Sequence, residues 1–146
     1  MWILSRELTK KDLSNLSGHT GPSVLFAKSE FFQEGVSLYE KNKFKDAKFK
    51  FEQDIVFNPK SELSYLYLSK IFKKLENVDL EEQNLKAVML LNPKNEEAIF
   101  NLAKLKLSVS DYEKSKNLNN KLKNICVNFC SKSEKLKIEI ENLSKK

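Results

Sequence analysis

Glycine and proline are scarce, with three of each in 146 residues. An all-β chain draws on both for its many tight turns, so their scarcity argues against sandwiches and barrels and predicts long helices. Arginine is nearly missing: Arg6 is the single one among 26 basic residues, although the net charge is +6. The planar guanidinium fork dominates specific contacts to phosphate and guanine, so a charge carried by lysine reads as solvated helix faces rather than a nucleic-acid footprint. Histidine is limited to His19, which reads as an exposed linker residue with no role. The two cysteines, Cys126 and Cys130, lie four apart in a helical-looking stretch. Adjacent turns of one helix do not present their Cβ atoms at disulfide geometry, and a metal site needs more ligands. The expectation is therefore two small thiols in a reducing compartment. No apolar run approaches the roughly 18 residues of a membrane-spanning helix. Met1-Trp2-Ile3-Leu4 is too short for a signal-peptide core before Arg6 and Glu7 intervene, and the expected location is cytoplasmic.

Chemistry-bearing motifs are missing as well. The chain has no dinucleotide fingerprint, no metal-ligand cluster and no nucleophile elbow. Gly18-His19-Thr20-Gly21-Pro22-Ser23 lacks the Lys-Ser/Thr pair and preceding strand of a phosphate loop, and reads as a linker. Carboxylate pairs such as Glu81-Glu82 and Glu96-Glu97 sit on charged helical faces, whereas catalytic pairs need a cleft and opposed environments. No catalytic residue, metal or cofactor is expected, and the chain reads as no enzyme.

What the chain does have is a repeat. Hydrophobic residues at 40% and charged residues at 32% allow one domain with a real core. Asn58-Pro59-Lys60 recurs as Asn92-Pro93-Lys94, so position 58 maps onto position 92. The same offset aligns Phe31 with Tyr65 and Ile99, and Phe32 with Leu66 and Phe100. It aligns small residues (Gly35, Ser69, Ala103), the set Phe44, Val78 and Tyr112, and the pairs Phe51 with Leu85 and Ile55 with Met89. Apolar residues recur at three- and four-residue steps, as in Leu63, Leu66, Tyr67, Ile71 and Leu75, which is helical periodicity.

This pattern resembles the tetratricopeptide repeat family, whose units are about 34 residues long. The match is strongest in the first unit, through Phe31, Gly35, Asn42, Phe44, Ala47, Phe51 and Pro59, and fades toward the end of the third. It departs at Glu81, where the family usually has Ala, at Lys106 and Asn119, where large apolar residues are usual, and at Val127, where Pro is usual. The resemblance implies an all-α solenoid of about three helix-turn-helix units at about 28–61, 62–95 and 96–129. Stacked units share one core, and about three are needed for stability. The small residue of each first helix would admit the second helix. Asn58 and Asn92, tolerant of the left-handed conformation, would close the second helices ahead of Pro59 and Pro93. Ser110-Asp111-Tyr112-Glu113 reads as a capping box, and with Val127 in place of Pro the last second helix is expected to run on.

Residues 131–146 read as a C-terminal capping helix. Ser131 and Glu134 would form its capping box, and Leu136, Ile140 and Leu143 its apolar stripe. Residues 1–27 form an extension and linker, with Leu4, Leu8, Leu13 and Leu16 on a loose helix. The resemblance also implies a concave groove lined by the first helices: Phe32, Val36 and Tyr39; Leu63, Leu66, Lys70 and Lys73; Phe100, Lys104 and Leu107. Some family members grip the C-terminal carboxylate of chaperones. The matching positions here, Phe32, Val36, Tyr67, Glu97 and Asn101, are mostly wrong for that task, so no such clamp is expected. An aromatic groove edged by lysines implies a partner protein offering a peptide or helix with apolar anchors and acidic neighbours, with this chain as adaptor or scaffold. The alternatives are nucleic-acid binding through Lys70, Lys73, Lys74, Lys104 and Lys106, and a detached accessory module of a larger enzyme.

Overall fold

The computed structural model describes residues 29–146, of which Phe31–Lys146 form one compact unit. The extension, its linker and His19 lie outside the described residues. Seven helices and no strand occur among the described residues: α1 (Glu30–Glu40), α2 (Phe44–Phe57), α3 (Glu62–Lys74), α4 (Val78–Leu91), α5 (Glu96–Ser108), α6 (Tyr112–Ile125) and α7 (Cys130–Ser144). The sequence offset reappears in three dimensions. α2, α4 and α6 open at Phe44, Val78 and Tyr112 and close at Phe57, Leu91 and Ile125. α3, α5 and α7 open at Glu62, Glu96 and Cys130, so α7 takes the register of a first helix.

Local chemistry explains these boundaries. The side chains of Ser61, Asn77, Asn95 and Asp111 accept hydrogen bonds from the N–H groups of Ser64, Leu80, Ala98 and Lys114, satisfying donors that a helix start leaves free. The turn inside each unit carries one left-handed residue, again at the repeat spacing: Asn42 at φ 62°, Glu76 at φ 57° and Ser110 at φ 63°. Three sequence expectations are corrected here. Asn58 and Asn92 close their helices at φ −136° and −144°, not in the left-handed region. Asp111, not Ser110, caps α6, because Ser110 is already committed to the turn. α7 opens at Cys130 on Phe129 with no side-chain cap, so the Ser131–Glu134 box does not form.

α6 also does not run on. It stops at Ile125, in register with α2 and α4, and Cys126 is extended at φ −65°, ψ 146°. The Glu96 carboxylate holds the break, accepting from the N–H groups of Asn128 (3.0 Å) and Phe129 (2.8 Å). Burial alone would raise this carboxyl, but the N–H groups of Phe129, Val127 and Asn128 bring it below its ordinary value. One unit earlier Glu62 works the same way, accepting from the side-chain amides of Asn92 (2.9 Å) and Asn95. The break overturns the reading of the cysteines. Cys126 and Cys130 are not on adjacent turns of one helix: Cys126 caps the end of α6 and Cys130 opens α7, with Cα atoms 5.3 Å apart, and they are joined in a disulfide.

The core runs along the stack in three linked clusters. Phe32, Ala47, Phe51, Leu68, Ile71 and Phe72 form the first; Leu66, Leu85, Val88, Ala98, Leu102 and Leu105 the second; Ala103, Leu107, Leu136 and Ile140 the third. Each fully buried Leu, Ile or Phe contributes about 1.5–3 kcal/mol. In the first unit the missing side chain of Gly35 admits the Phe51 ring, which also stacks on Tyr67 at 4.9 Å. Leu136 and Ile140 carry the stripe expected of the last helix. Asn119 and Ser133 join α6 to α7: the Asn119 amide donates to the Ser133 carbonyl (2.9 Å), and the Ser133 hydroxyl donates to the Asn119 side-chain oxygen (2.9 Å).

Candidate functional site

Because α3, α5 and α7 repeat in register, the side chains along them recur on one face. Two adjoining hollows lie there. One, of about 510 Å³, is lined from Tyr39 on α1 through Ser69, Lys70 and Lys73 on α3 to Glu97 and Asn101 on α5. The other, also about 510 Å³, runs from Lys73 and Val78 to Lys104 and Leu107 on α5 and to Glu139 and Leu143 on α7. They share Lys73, Glu76 and Glu81.

The ten groove positions inferred from sequence divide by exposure. Phe32, Leu66 and Leu107 are buried in the three core clusters, although Leu107 also borders the second hollow. Val36 packs on the first cluster and Phe100 on the third, where its ring meets Phe129 at 5.7 Å. Leu63 is exposed and lines neither hollow. Tyr39, Lys70, Lys73 and Lys104 do line them. Tyr39 is fixed edge-on between Phe44 (5.4 Å) and Tyr67 (5.1 Å).

The hollows are balanced in charge rather than basic. Four lysines (Lys70, Lys73, Lys74, Lys104) face four glutamates (Glu76, Glu81, Glu97, Glu139). Lys70 pairs with Glu97, and Lys104 with Glu139 at 3.2 Å. Lys74 lies 5.9 Å from the Phe44 ring centre. Glu81 is only 6% exposed; burial pushes its carboxyl above the ordinary value, and the charge of Lys73 draws it partly back. The groove reading omitted Glu76, Glu81, Glu139 and Asn101. The signal for Glu81 was its departure from the usual Ala, since the residues one unit either way, Ala47 and Ser115, are also buried. Lys106 stands apart from Lys70, Lys73 and Lys104. It lines a different cleft, between α4 and α6, so the five lysines do not form one patch.

Among the described residues no group of three or more His, Cys, Asp or Glu side chains is gathered to hold a metal, and no helix is long and apolar enough to cross a membrane.

No family model and no curated protein matches this sequence. Solved structures do match in fold. The type III secretion translocator chaperone SycD of Yersinia enterocolitica superposes with a TM-score of 0.72 at 14% identity, covering 90% of each chain. The first tetratricopeptide domain of Spaghetti (RPAP3), bound to the HSP90 peptide SRMEEVD, gives 0.71 at 12% identity over 80% of this chain and 91% of that one. The Sgt2 tetratricopeptide domain from Aspergillus fumigatus gives 0.67 at 15%, over 80% and 81%. With the repeating register of its helices, these likenesses make the fold an all-α solenoid of the tetratricopeptide type.

Proposed function

We propose that this chain is a protein-interaction module that holds a peptide or short helix of a partner along its concave face. The observation that carries this reading is the continuity of the two hollows from Tyr39 to Leu143, along the first helices α1, α3 and α5 and on to α7. Structural neighbours support it. The RPAP3 domain was solved with an HSP90 peptide, and SycD with a peptide of the translocator YopD. Tyr39 and Val78 offer apolar contact. Lys73 and Lys74 are the lysines open to an acidic residue of the partner, since Lys70 and Lys104 already hold carboxylates. Apolar contacts supply most of the affinity in such a site, and the lysines steer the approach.

The test is affinity capture with the wild-type chain, with Asn101→Arg, which fills the first hollow, and with Lys121→Glu on another face. Circular dichroism first shows that all three are folded. A partner retained by Lys121→Glu and lost from Asn101→Arg supports the groove. A partner held equally by all three moves binding off the concave face.

A further inference from the structure

The repeat register singles out a side chain that the groove does not use. Position 72 is Phe and position 140 is Ile, both buried, and each lies one repeat period from Lys106. At both flanking positions a large apolar side chain closes the packing. At the position between them stands a lysine whose side chain is only 13% exposed. A cleft of about 390 Å³ opens beside it, between α4 and α6, with Leu102 and Leu118 as its apolar wall. That volume lies within the range of small-molecule sites.

The charges in the cleft are not balanced. Lys106 donates to one Glu82 oxygen at 2.8 Å, and Lys86 pairs with the same oxygen at 2.8 Å. Lys114, which also reaches Asp111 at 3.8 Å, stands at the rim with Lys121. Four ammonium groups thus share the cleft lining with one carboxylate. Hydrogen bonds from Lys106 and then Lys86 hold the Glu82 carboxyl below its ordinary value. The half-buried Lys106 ammonium has three donors and one carboxylate partner, and a recess walled by leucine focuses the surplus positive potential. Partial desolvation of Lys106 carries a cost that its pairing with Glu82 opposes.

We propose that this cleft is a binding site for a small organic anion, an acidic group carried on an apolar body. The acidic group meets Lys106 and Lys86 in place of Glu82, and the body lies against Leu102 and Leu118. This proposal is independent of the concave groove.

The experiment is an amide NMR titration of the full chain at low salt with three probes: phenyl phosphate, inorganic phosphate and benzyl alcohol. Phenyl phosphate is expected to saturate shifts at Glu82, Leu102, Lys106 and Leu118. The other two should bind at least roughly tenfold more weakly, because each lacks half of the match. Lys106→Phe, which copies the residue one unit earlier, abolishes binding, and Lys106→Gln, a smaller change, weakens it strongly. Glu82→Gln removes the competing carboxylate and tightens binding by roughly three- to tenfold. A Lys106–Glu82 pair of purely structural value would not produce that gain. The proposal is overturned by unsaturable shifts spread over all lysines. It is equally overturned by inorganic phosphate binding as well as phenyl phosphate, or by Lys106→Gln binding like the wild type.

Discussion

At the scale of single residues, two positions show how closely the units are fitted. A Cβ at Gly35 would sit 2.9 Å from two carbons of the Phe51 ring, which is fully buried. The ring cannot give way, because Phe32 lies edge-on to it at 5.7 Å and Tyr67 stacks on it at 4.9 Å. Gly35→Ala is therefore expected to cost about 1–3 kcal/mol by overpacking, despite the better helix propensity of Ala. A denaturation midpoint equal to or above the wild type would refute this. Glu81 makes the opposite case. Its carboxyl titrates at the ordinary value in the unfolded chain and above it in the folded one. Between those values the native state binds the extra proton, so stability falls as pH rises through the window and stays lower above it. Glu81→Gln keeps the shape without the charge. It should raise stability at about pH 7.5 and leave it unchanged at about pH 3.5, below the ordinary carboxylate range. Denaturant midpoints at both values decide it: a gain independent of pH rules out desolvation of the charge as the cause.

At the scale of elements, the joint between α2 and α3 is polar where the next one is apolar. Asp54 and Ser64 are buried, and the Ser64 hydroxyl donates to the Asp54 carboxylate. One unit on, the same positions are Val88 and Ala98, both buried. Ser64→Ala alone removes a hydrogen bond to a buried carboxylate and should cost about 1.5–3 kcal/mol. Asp54→Val/Ser64→Ala copies the next joint, and its loss should be well below the sum of the two single losses. Additivity in the double-mutant cycle would show that the pair is not coupled. The element scale is also where the sequence was most legible. The recurrence of Asn-Pro-Lys marked both helix ends that carry it, and the small residue at Gly35 marked the close approach of α2. The end of α6 was not legible, because no proline marks it. Its stop depends on Glu96, a whole unit earlier in the sequence, and the helix continuity assumed between Cys126 and Cys130 concealed their pairing. The lining of the two hollows was partly legible for a different reason. An apolar stripe on a first helix can serve both the core and the open face beside it, and periodicity does not separate them. Phe32 and Leu66 went to the core, while Tyr39 and Lys73 border the hollows.

At the scale of the whole molecule, the stack is an array in which each unit is covered by the next, and α7 supplies the cover at the end. It buries Leu136 and Ile140 against Ala103 and Leu107, with Phe100 and Tyr112 packed at the edge. It also meets the buried Asn119 side chain through Ser133 and holds Lys104 through Glu139. Removing residues 130–146 would expose that apolar surface and leave the Asn119 amide unmatched, a loss of about 3–6 kcal/mol from the two buried side chains alone. In an array this loss does not spread evenly, because each unit feels its neighbour most. Amide hydrogen exchange of the truncated chain should therefore lose protection in α5 and α6 first, with α2 and α3 keeping theirs. Leu136→Asp/Ile140→Asp in the full chain should give the same gradient without any change of length. Uniform loss along the stack would mean that the chain unfolds as one cooperative block. Unchanged protection in α5 and α6 would mean that α7 is not their cover.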